Sequence, residues 1–93
     1  MTLDDFANMT LKIVREQGLE DYLPTGCFLE QKKLLVLEAI PAGMDTESVA
    51  RSWARSIAQP GECYFLAYRY SETAFKVVQI MGEQVTERIM TLS

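Results

Sequence analysis

Histidine is absent from the 93 residues of this chain. That removes the commonest general base, the commonest zinc ligand and every Ser–His or Cys–His nucleophile pair. Cysteine is scarce: Cys27 and Cys63 stand far apart, form no CxxC and complete no zinc site. The five glycines stand singly at turns or a helix end, so there is no glycine-rich phosphate loop. Basic clusters are missing too. Nothing exceeds the pair Lys32-Lys33, and thirteen acids against nine bases give a net charge of −4. Nucleic-acid binding needs a cationic surface to displace counterions, and anionic membranes repel an acidic protein, so neither partner is expected. The longest apolar runs, 34–37 and 63–68, fall far short of a membrane span. The opening MTLDDF carries two acids where a secretory signal needs a basic segment. A cytoplasmic protein with reduced, packed thiols is the expectation, and no metal or cofactor is implied.

What remains is a globular composition, 48% apolar and 24% charged. No repeat, linker or low-complexity tract divides the chain, so residues 1–93 read as a single domain. Thr2 starts a helix that runs from about Leu3 to Gln17. Asp5, three residues on, completes a capping box, and the apolar positions Leu3, Phe6, Ala7, Met9, Leu11, Ile13 and Val14 form a broad stripe. Gly18 fits the stop, with apolar Leu19 beyond it. A hairpin follows, from a weak strand at Cys27-Phe28-Leu29 to a strong one at 34–40, joined by the polar link 30–33. The strong strand is apolar on both faces, the mark of a central strand covered on both sides.

Asp45 caps a second helix reaching roughly to Ala58, and Met44 before it is placed to staple onto Val49. Val49, Ala50, Trp53, Ala54 and Ile57 give one stripe, with Trp53 and Ile57 its expected core anchors. Glu47, Arg51 and Arg55 line the opposite face and read as solvated charge. The segments 62–70 and 75–81 are β-prone. Gly82-Glu83 suits a two-residue type II′ turn, which sets Met81 opposite Gln84, Val77 opposite Arg88 and Lys76 diagonal to Glu87, with the last strand running to about Thr91. The order α-β-β-α-β-β-β predicts an α+β domain, most simply an antiparallel sheet of four to five strands with two helices on one face.

No catalytic constellation emerges. Asp4-Asp5 and Glu20-Asp21 are adjacent pairs that diverge rather than converge across a cleft. Cys63 shares a strand face with Arg69, but about 20 Å separates them along the strand, too far for activation. Tyr64, Leu66, Tyr68 and Tyr70 share the other face. Tyrosine joins apolar area to a polar tip and suits a surface that is sometimes covered, so these four are the candidate ligand or partner face. The expected function is that of a small acidic accessory or regulatory protein acting by protein–protein interaction, with a second copy of itself, as a homodimer, or another protein closing this face. The alternative is a small-ligand-binding domain, or a histidine-free enzyme, with a tyrosine-lined pocket.

Overall fold

The computed structural model describes residues 1–92. The chain runs α1 (Leu3–Gln17), a short 3-10 turn (Leu19–Asp21), β1 (Thr25–Phe28), β2 (Lys33–Val36), α2 (Thr46–Ile57), β3 (Tyr64–Arg69), β4 (Ala74–Met81) and β5 (Gln84–Thr91). This is the α+β order expected from the sequence. One fully antiparallel sheet holds all five strands in the order β2-β1-β3-β4-β5.

Local chemistry sets the element ends. The Thr2 hydroxyl accepts from the Asp5 amide at 3.1 Å while the Asp5 carboxylate accepts from the Thr2 amide at 3.0 Å, so two amides that a helix start leaves unpaired are satisfied. Gly18 leaves α1 with φ +94°, a backbone state that side chains disfavour. The Asp45 carboxylate caps α2 by accepting from both the amide and the hydroxyl of Ser48, each at 2.9 Å. Between β4 and β5, Met81 pairs with Gln84 and Val77 with Arg88 as the glycine-first turn requires. Gly82 alone in that turn has positive φ, +62°, the pattern of type II′ rather than I′.

The helices do not share a face, and here the sequence reading is corrected. α1 packs on β3 and β4, where Phe6, Ala7 and Val14 meet Phe65, Ala67, Phe75 and Val77, with Phe6 stacked on Phe65 at 5.3 Å. α2 packs on the other face of β3, where Ala50 and Ala54 meet Phe28, Tyr64, Leu66, Tyr68 and Val78. β3 is therefore buried on both sides, which its near-continuous apolar sequence requires.

The hairpin is also corrected. The strong-looking strand ends at Val36 and lies at the sheet edge, with Leu34 and Val36 exposed, while the weaker β1 sits inside between β2 and β3. The reason is non-local: β1 finds a partner in β3, and no local pattern encodes that pairing. Trp53 and Ile57 are half-buried margins of the α2 contact rather than its centre. The fully buried positions are the small Ala50 and Ala54, which let the helix backbone approach the sheet.

Candidate interaction surface

Of the four residues expected to form an open face, three are closed. Tyr64, Leu66 and Tyr68 lie beneath α2, at 4%, 0% and 0% exposure. The expectation of an uncovered tyrosine face is overturned because each helix takes one face of the sheet. Tyr70 alone is exposed, just past the end of β3, with the Lys76 ammonium 4.9 Å from its ring centre.

Beneath the edge of α2 the structure assembles a charged network that spacing alone did not reveal. The Tyr68 hydroxyl donates to Glu47 at 2.9 Å. The Lys76 ammonium donates to the same carboxylate at 3.1 Å and lies 3.4 Å from Glu87. Arg51 completes the chain as the second cation on Glu87. Glu47 and Arg51 thus bond to side chains of β3, β4 and β5, although the Glu47 side chain stays 37% exposed. The Lys76–Glu87 contact realises the diagonal expected from the turn. The Tyr68 hydroxyl, followed by Lys76, holds the Glu47 carboxyl below its usual range, while burial and then the Glu47 bond push the Tyr68 hydroxyl well up. Lys76 is a buried lysine. Burial alone would lower its pKa, but Glu47 and Glu87 outweigh burial and the net shift is upward.

Glu62, read from sequence only as the start of a strand, is a second organising carboxylate. It is 3% exposed and accepts from the Gln59 amide at 2.9 Å, the Gln31 amide at 3.1 Å and the Gln31 side chain at 2.6 Å. Gln31 also donates to the Ile57 carbonyl, so the β1–β2 turn is tied to the end of α2. Burial works against the Glu62 anion, but these donors hold its carboxyl below the ordinary range. No sequence signal marked the link, because its partners lie thirty-one residues apart.

Outside these cores the surface is informative. β5 is an edge strand whose residues are all exposed except half-buried Met90. Val85 and Ile89, each 48% exposed, stand on the α2 face of the sheet, one on either side of Glu87. Beside them runs an open groove of about 530 Å³ between the C-terminal half of α2 and the β4–β5 hairpin, lined by Arg51, Arg55, Tyr64, Ile80 and Val85. A second open depression, apolar and of about 520 Å³, is lined by Met44, Val49 and Trp53 of α2 and the loop before it. Among the described residues, no three His, Cys, Asp or Glu side chains converge as a metal site. Among the same residues, no helix is long and apolar enough to cross a membrane. Comparison with known proteins gives no match to a family model, to a curated protein or to a solved structure.

The two edges of the sheet differ in how they are guarded. β2 has four residues and begins beside the pair Lys32-Lys33, features that discourage strand addition. β5 has eight residues, contains no proline and is in unbroken register with β4 along its whole length. A strand of that kind can accept another strand by backbone hydrogen bonds, with side chains on both faces adding selectivity.

Proposed function

We propose that this is a small acidic accessory or regulatory protein that works by protein–protein interaction, with a second copy of itself as its partner and β5 as the contact. The observation that carries the reading is the eight-residue edge strand, in unbroken register with β4 and bearing exposed Val85 and Ile89. With each sheet face holding its own helix, assembly through a face gives way to assembly through an edge. We keep the cytoplasm as its setting, a reading that the two unpaired thiols support. A second reading, a small-ligand domain, is favoured only by the groove over Tyr64, where Arg55, the lining arginine not paired with Glu87, suits an anionic group.

Sedimentation equilibrium tests the main reading. A dimer is expected at micromolar concentration, and Ile89→Lys should weaken it at least about tenfold, equivalent to about 1.4 kcal/mol, with the circular dichroism spectrum unchanged. Ile89 is half-exposed, so its replacement spares both cores. A monomer at high micromolar concentration would overturn the reading.

A further inference from the structure

We infer that two copies join by antiparallel pairing of β5 with β5 about a two-fold axis through Glu87, making one continuous sheet. The inference rests on the homodimer reading above and specifies its geometry.

Backbone parity comes first. A two-residue hairpin turn closes on a pair that exchanges both backbone hydrogen bonds, and here that pair is Met81 and Gln84. Antiparallel ladders alternate, so Gln84, Thr86, Arg88 and Met90 direct their amides and carbonyls to β4. Those of Val85, Glu87, Ile89 and Thr91 point away from the sheet and are free to pair with another strand. These four also lie on the α2 face, opposite Ile80, Val78, Lys76 and Ala74.

Symmetry then narrows the register. A two-fold axis perpendicular to the sheet returns each face to itself, so only residues on the same face can meet. Glu87 lies midway between the two exposed apolar residues. Centring on it places Val85 opposite the partner's Ile89, twice, in hydrogen-bonded pairs. On the other face Thr86 meets the partner's Arg88. Centring on Arg88 would instead set Glu87 against the partner's Ile89 and bring together two arginines, each with the single carboxylate of Asp4 beside it. Centring on Thr86 would set Val85 against the partner's Glu87. Both waste the apolar match.

The chosen register brings Glu87 against the partner's Glu87, which alone would repel. Each carboxylate is already held by Arg51 and by Lys76, so every glutamate reaches the axis with two cations beside it. The network beneath α2 acquires a role: it makes Glu87 acceptable at a symmetric contact.

The test is disulfide trapping. In a hydrogen-bonded antiparallel pair the Cα atoms are about 5.5 Å apart, within bridging range, whereas residues offset by two positions lie about 7–8 Å apart, beyond it. Glu87→Cys should therefore give a covalent dimer under mild oxidation at least about tenfold faster than Arg88→Cys. Peptide mapping should place the link between the two copies of position 87 rather than at Cys27 or Cys63. Sedimentation of the unaltered protein is run alongside. A dimer in which Arg88→Cys links as fast or faster would overturn the register and leave the homodimer standing. A protein that sediments as a monomer would overturn both.

Discussion

Replacing Gly26 by alanine should cost about 1–2 kcal/mol of folding stability. A methyl group there would stand 2.7 Å and 2.9 Å from two ring carbons of Phe28 and 3.3 Å from Trp53. Carbon atoms rest comfortably at about 3.5–4.0 Å, so a ring must shift by about an ångström. Phe28 has nowhere to go. It is fully buried, stacked on Tyr64 at 5.4 Å and edge-on to Trp53 at 6.4 Å. Forcing extra volume into such a site costs about 1–3 kcal/mol. Alanine recovers about 0.4–1 kcal/mol by restricting the unfolded chain. The difference is read from urea unfolding at fixed protein concentration, followed by fluorescence of Trp53, the only tryptophan. With a slope of about 1 kcal/mol/M, the midpoint should fall by about 1–2 M. The same change made in a Phe28→Leu background should be close to neutral, because the offending ring edge is gone. An unchanged midpoint in the native background, or an equal loss in both backgrounds, would refute the steric reasoning.

Trp53→Ala should cost about 2–3 kcal/mol, below the 3–5 typical of a fully buried aromatic, because Trp53 lies at the margin of the core. A urea-measured loss above about 4 kcal/mol would contradict that placement. Glu47→Ala leaves the buried Tyr68 hydroxyl without its acceptor and should cost about 1–3 kcal/mol at neutral pH. The pH dependence has a definite sign. The Glu47 carboxyl is depressed in the folded protein, so its contribution is complete above the unfolded value of 4.5 and is lost as pH falls through the folded one. Stability of Glu47→Ala, measured from neutral pH to about pH 3, should therefore fall less steeply than that of the native protein; parallel curves would count against the assignment. Burial raises the Cys27 thiol pKa, so maleimide should label Cys27 in the native protein more slowly than in urea. Equal rates would show that it is open.

Much of the local structure was legible because its causes are local. Thr2 with Asp5, and Asp45 with Ser48, are caps written within four residues. Gly82 requires a turn that by itself fixes the β4–β5 register and, through it, the Lys76–Glu87 contact. Apolar residues on both faces of β3 require cover on each side; a helix supplies it on both, where the sequence leads one to expect a partner copy on the Tyr64, Leu66 and Tyr68 side. The candidate site was less legible. Alternation correctly grouped Tyr64, Leu66 and Tyr68 on one face but could not say what covered it.

What the sequence by itself determined is therefore the α+β class, the helix ends, the last hairpin and the two faces of β3. Each follows from short-range hydrogen bonding or from a period of two. Tertiary structure alone decided that the helices lie on opposite faces, that composition-poor β1 is internal while apolar β2 is an edge, and that Glu47, Tyr68, Lys76, Glu87 and Arg51 meet. Those outcomes rest on pairings such as β1 with β3, made between segments far apart in sequence. Which of them forms is chosen by the burial achieved across the whole sheet at once, and no window of sequence contains that sum.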